Sequence, residues 1–125
     1  MGYKYSIDDL KSLAESSARS SCAPISYFLM GDIGTGKTTF SQFFIREVLI
    51  NKEQEITSPT FNIVHIYDTL KGPVWHVDLY RIENPSEIDE LGLLEAMNEA
   101  ICLIEWPGLI MARGKRYNHQ EIRFD

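Results

Sequence analysis

Residues 31–38 read GDIGTGKT, with glycine at 31, 34 and 36, lysine at 37 and a hydroxyl at 38. This spacing fits Gly-x-x-x-x-Gly-Lys-[Ser/Thr] at every fixed position. The chemistry such a stretch serves is the enclosure of phosphate. Main-chain N–H groups have to converge on phosphate oxygens, and side chains at Gly31, Gly34 or Gly36 would block the approach. Lys37 adds a point charge for the β- and γ-phosphates, and the Thr38 hydroxyl is suited to holding Mg2+. Asp32, Ile33, Thr35 and Thr39 share the loop and the first helical turn, so their backbone is expected to join the phosphate contacts. A chance match in a glycine-rich turn is the competing reading. The context weighs against it, because an apolar strand-like run comes before the loop and an amphipathic helix after it.

A magnesium–nucleotide site also needs a carboxylate on a neighbouring strand end. Two stand in suitable places, Asp78 in HVDLYR and Glu105 in LIEWP. Glu105 follows the apolar residues 101–104, and open α/β sheets place ligands at such strand ends. Thr60, in TSPTF at 57–61, reads as a switch-type hydroxyl for the γ-phosphate or Mg2+; the alternative is a plain polar turn around Pro59. Arg81 is open between phosphate, Asp78 and solvent. His65 and His76 lie inside strand patterns without a partner at metal spacing, so both are assigned to packing. Trp106, beside Glu105 and Pro107, is the aromatic expected at the nucleotide or a partner, and Trp75 is assigned to the core or a pocket.

The elements that must position these groups follow from periodicity. Ser6 caps a helix with Asp9 in the capping-box position, and Leu10, Leu13 and Ala14 form its apolar stripe. ISYFLM at 25–30 reads as a strand buried on both faces. The helix after the loop carries Phe40, Phe43, Phe44 and Leu49 at helical spacing. FNIVHIYD and VWHVDLYR form a hairpin turned by Gly72 and Pro73. One or two short helices follow, with Ser86 as cap and Gly92 as stop. AICLIEW is a further strand, ended by Pro107, and EIRF the last. The expected fold is a single-domain, three-layer α/β P-loop architecture over residues 1–125, with a largely parallel sheet and one antiparallel hairpin.

Bulk properties narrow the classes. The chain has 125 residues, and its hydrophobic fraction of 44% argues for a globular core. No apolar run reaches bilayer-spanning length and no signal-peptide pattern opens the sequence, so neither membrane nor export is expected. The opening MGYKYS fits a short myristoylation pattern, taken as coincidence. Cys22 and Cys102 suggest neither a metal site nor a disulfide framework, which fits a reducing cytoplasm. The net charge of −6 offers no basic footprint for nucleic acid. Residues 82–112 hold seven carboxylates and no lysine or arginine, read as a solvated face or a docking surface for a basic partner.

Taken together, GDIGTGKTTF, SPTF, HVDLYR, ELGLLE and ICLIEWP, in this order, resemble the TsaE (YjeE) family of small P-loop ATPases. Those proteins act in bacterial threonylcarbamoyladenosine formation on tRNA. The resemblance runs from Met30 through Pro107 and fades in the tail, where family members often continue further. It implies ATP and Mg2+ as cofactors, with Lys37 and the loop amides on the phosphates and Thr38 and Glu105 on the metal. It implies that Asp78 positions or activates the hydrolytic water, that Thr60 belongs to a switch segment and that Trp106 lies at the rim. It also implies TsaD and TsaB as partners, weak hydrolysis by the isolated chain, and tRNA contacted only through the complex.

Two other readings compete. A small kinase would use the same loop, but needs a lid with clamping arginines, and no arginine-rich insertion is present. A GTP-dependent switch would use an Asn-Lys-x-Asp motif for guanine; NKEQ at 51–54 puts Gln54 where the Asp belongs, which favours ATP.

Overall fold

The structure, a computed structural model, describes residues 6–124. Its elements are α1 (Ile7–Ser20), β1 (Ile25–Met30), α2 (Lys37–Val48), β2 (Val64–Thr69), β3 (Gly72–Asp78), α3 (Pro85–Glu90), α4 (Leu93–Ala96), β4 (Ile101–Glu105), α5 (Gly108–Met111) and β5 (His119–Arg123). The five strands form one sheet in the order β2-β3-β4-β1-β5. All neighbours pair in parallel except the antiparallel β2–β3 hairpin. This is the three-layer α/β arrangement the strand and helix pattern implies.

Alternation along the central strands decides the layers. Tyr27, Leu29, Ile101 and Leu103 face one side, where Phe40, Phe44 and Ile45 of α2 and Leu10, Ala14 and Ala18 of α1 complete a core cluster. Phe28, Cys102 and Ile104 face the other, closed by Ile88, Leu93, Ala96 and Ile110 from α3, α4 and α5. β4 is buried along its whole length, which explains its unbroken apolar sequence.

Several local expectations hold, and several are corrected. The capping box of α1 forms, with Asp9 N donating to Ser6 Oγ at 3.1 Å and Ser6 N to Asp9 Oδ2 at 3.0 Å. The buried stripe of α1 is Leu10, Ala14 and Ala18, however, and Leu13 is exposed. The i, i+4, i+8 row faces α2, and its alanines leave little room between the two helices. The hairpin turns at Leu70 and Lys71, and Gly72 and Pro73 already belong to β3. Thr69 drives that turn, its hydroxyl accepting from Lys71 N at 3.0 Å and donating to Gly72 O at 2.6 Å. Pro73 is tolerated because pairing of β3 with β4 begins only at Val74. Asn84, not Ser86, caps α3: Pro85 takes the first helical position, where its missing N–H is harmless, and Asn84 accepts from Ser86 N. Gly92 separates two short helices as expected: with φ 75° it follows the C-cap Leu91 of α3, and it is at the same time the N-cap of α4. α5 follows Pro107 and was not foreseen, since four residues are too few to show a helical period. The last strand starts at His119, two residues earlier than EIRF suggests.

Of the seven carboxylates in residues 82–112, six are exposed and the seventh, Glu105, is buried. Among the described residues, no helix is long and apolar enough to cross a membrane. The myristoylation pattern at Gly2 lies outside the described residues.

The layering makes the two cysteines unequal. Cys22 is exposed, whereas Cys102 is buried and burial pushes its thiol up to about 12. A thiol reagent at neutral pH is expected to label Cys22 alone in the native protein and both residues after denaturation. Two labels under native conditions would contradict the closed layer of α3, α4 and α5.

Candidate functional site

The loop of residues 31–36 joins β1 to α2. Its glycines have φ of 146°, 80° and 111° at Gly31, Gly34 and Gly36, all in the region that disfavours side chains. The two long helices differ at their starts. α1 has its side-chain capping box and acidic residues in its first turn. α2 begins at Gly36 with no side-chain cap and no acidic residue in its first turn. The first N–H groups of a helix have no intrahelical partner, and together with the dipole they favour an anion.

A cleft of about 380 Å³ opens at this helix start, and its lining includes Gly34, Lys37, Thr38, Asp78 and Glu105. Its size suits a small ligand. Lys37 Nζ donates to the carbonyls of Gly31 at 2.6 Å and Asp32 at 2.7 Å, and stands 4.2 Å from the centre of the Trp106 ring. The ammonium therefore braces the loop while an aromatic face covers it. Burial lowers the Lys37 pKa from its ordinary value, opposed by the negative charges of Glu105, Asp32 and Asp78.

Sheet register sets the carboxylates. Asp78 ends β3 and Glu105 ends β4, and the two are paired across the ladder, with Leu29 of β1 on Glu105's other side. Both acids are buried. The Thr38 hydroxyl reaches Glu105 Oε1 at 2.8 Å and Oε2 at 3.1 Å. His76 Nε2 lies 2.7 Å from Glu105 Oε2. Asp78 Oδ1 accepts from Tyr80 N at 2.9 Å, and Asp78 N donates to Ile63 O. A hydroxyl beside a buried carboxylate, with a second carboxylate in the same ladder row, is a hard-oxygen set that suits Mg2+.

Of the residues singled out in the sequence, Ile33, Gly34, Gly36, Lys37, Thr38, Thr39, Thr60, Asp78, Glu105 and Trp106 line the cleft. Gly31 and Asp32 line an adjoining apolar groove and meet Lys37 through their carbonyls, while Thr35 Oγ1 donates to Asp32 O at 2.7 Å. Thr60 is tied to Ser58 by a hydroxyl–hydroxyl bond of 2.7 Å. Arg81 lies outside the lining and stacks on Phe61. Asn51 and Gln54 line a separate depression with Asp68 and Thr69. His65 fits its packing assignment, held between Thr57 and Tyr67. His76 is buried in the core, as assigned, and its Nε2 is in addition bonded to Glu105. Two further contributors escaped the sequence. Tyr80 lines the cleft with its ring 4.8 Å from Trp106, a role its place two residues after Asp78 hints at. Phe124 backs the loop, its N–H donating to Met30 O at 2.7 Å.

A family model described as threonylcarbamoyl adenosine biosynthesis protein TsaE matches residues 5–125. A tRNA threonylcarbamoyladenosine biosynthesis protein TsaE from Rickettsia prowazekii is 48% identical over 85 residues, 66% of this chain and 56% of the relative. The protein of the same description from Rickettsia felis is 41% identical over 106 residues, 82% of this chain and 60% of the relative. The chain thus spans little more than half the length of these relatives. The crystal structure of YdiB from Bacillus subtilis superposes with a TM-score of 0.70 at 27% identity, covering 96% of this chain and 73% of that one.

The close approach behind the loop is testable. A β-carbon at Gly31 would stand 2.3 Å from Phe124 O, whereas one at Gly34 meets nothing within 4 Å among the described residues. In urea unfolding, Gly34→Ala is expected to cost about 1 kcal/mol through its positive φ alone, and Gly31→Ala more than about 2 kcal/mol. Equal losses would contradict the contact.

Proposed function

The chain belongs to the TsaE family, and on that premise we propose that it is a Mg2+-dependent ATPase of bacterial tRNA threonylcarbamoyladenosine formation, working with TsaD and TsaB in the cytoplasm. The observation that supports it best is the uncapped start of α2 opening onto a cleft shared by Lys37, Thr38, Asp78 and Glu105.

On this reading the amides of residues 31–39 hold the phosphates and Lys37 leaves the Gly31 and Asp32 carbonyls for phosphate oxygens, a stronger, charge-assisted bond. Thr38 and Glu105 would hold Mg2+, which would supply neutralisation of phosphate charge. Asp78 orients the attacking water, and Tyr80 N keeps that carboxylate aimed. Thr60 closes on the γ-phosphate from the segment ahead of β2. Trp106 and Tyr80 form the rim. The net charge of −6 suits a subunit that leaves tRNA to its partners.

Lys37→Ala is expected to lower ATP affinity in calorimetry by at least about 30-fold, the loss of charged hydrogen bonds. Unchanged affinity would remove the assignment. Glu105→Ala is expected to retain nucleotide binding in EDTA and to lose most Mg2+-stimulated hydrolysis; equal stimulated rates would reject its metal role. For the wider function, tRNA modification reconstituted with TsaD and TsaB is expected to depend on added chain over many turnovers. The same yield without it would refute the proposed partnership.

A further inference from the structure

His76 is a costly residue where it stands. It is fully buried, on β3, aligned with Leu103 of β4 and following Val74 on the same face. Val74 and Leu103 beside it are apolar and His65 of β2 lies opposite it, and an aliphatic side chain would fill the position without burying polar atoms. Among the described residues its Nδ1 has no hydrogen-bond partner. Its Nε2 reaches diagonally, past Leu103, to Glu105 Oε2 at 2.7 Å.

The bonding pattern selects the tautomer. A neutral imidazole carries one N–H. On Nε2 that proton makes a bond to a carboxylate; on Nδ1 it would be a buried, unpaired donor, and a lone pair would face the carboxylate oxygen. The geometry points to His76 as a positioning residue: its Nε2–H holds Glu105 by Oε2, which keeps Oε1 turned toward the Thr38 hydroxyl. This inference rests on the magnesium–nucleotide reading and deepens it. Glu105 is attached to β4 through three rotatable bonds, and the ladder fixes only its Cα. Thr38 alone cannot fix the carboxylate, because a ligand that drew on that hydroxyl would release it. His76 supplies the second point of attachment from a rigid interior strand. Partners of this kind tune metal binding, and their loss typically weakens it about 10–100-fold.

The test uses the whole chain. His76→Leu keeps the apolar packing and removes the donor, and His76→Gln restores an N–H near the Nε2 position. ATP affinity in EDTA is expected to stay within about two-fold for both variants. The Mg2+ midpoint for tight ATP binding is expected to rise about 10–100-fold in His76→Leu and to return most of the way in His76→Gln. An unshifted midpoint in folded His76→Leu would overturn the inference, and so would a shift that His76→Gln leaves unrepaired. Nitrogen-15 spectra of the wild-type ring give a reading independent of nucleotide. A ring protonated on Nε2 supports the assignment, and a ring protonated on Nδ1 alone overturns it. If wild-type protein binds ATP without regard to Mg2+, the magnesium–nucleotide reading falls and the metal role of His76 with it, whereas a failure confined to the His76 variants leaves that reading standing.

Discussion

The start of α2 is the constraint around which the site is arranged. A helix exposes its first N–H groups, and most helices answer them with a Ser, Thr, Asp or Asn side chain. This chain does so at α1 through Ser6 and Asp9, and at α3 through Asn84. At α2 it puts Gly36 with φ 111° and gives the helix no side-chain cap. A helix left bare gains most from an anion supplied from outside, and the cleft leads there. The rest of the loop follows from keeping that end open. Lys37 is folded back on the Gly31 and Asp32 carbonyls, so the loop is braced by its own cation instead of by a cap.

The second constraint is register. Parallel pairing of β3 with β4 sets Asp78 against Glu105, and pairing of β4 with β1 sets Glu105 against Leu29, just ahead of the loop. Three strand ends therefore deliver two acids and the glycine loop of residues 31–36 to one edge of the sheet, and α2 brings Thr38 over it. A shift of one residue in either ladder would turn an acid into the opposite core layer. The apolar contacts that fix register, among them Val77 with Ile104 and Phe28 with Ile104, lie one row before the two acids and face the opposite core layer. Core packing and site geometry are thus one problem here.

What was legible in the sequence divides along the same line. The loop, Glu105 and Asp78 were readable because their residue types and spacing have a local meaning. β1 and the cap of α1 were readable because each rests on near neighbours in the chain. His76 was not: its partner is 29 residues away, and a histidine within a strand pattern usually signals packing. Phe124 and Tyr80 act by backbone contact or by reaching around a strand end, which leaves no periodic trace. The Leu70–Lys71 turn was misplaced because Gly72 and Pro73 are strong turn formers, while the decisive bonds come from Thr69, a residue with good strand propensity.

Backbone strain marks the edges of the same region. Among the described residues, Ile63 at φ 70° and Trp106 at φ 58° are the non-glycine residues in the left-handed region. Each costs on the order of 1–3 kcal/mol and persists only where neighbours over-determine it. For Ile63 the neighbours are Pro59, whose carbonyl accepts its N–H at 2.6 Å, and Asp78, whose N–H donates to its carbonyl at 2.9 Å. For Trp106 the hold is a bond from its N–H to Leu29 O at 3.3 Å. The first strained residue ties the Thr60 segment to Asp78. The second reverses the chain directly after Glu105, which brings the indole back over Lys37. Relaxing either backbone would separate a cleft wall from the acid beside it. The strain is therefore the conformational consequence of gathering side chains from the segment ahead of β2, two strand ends and a helix start around one cleft.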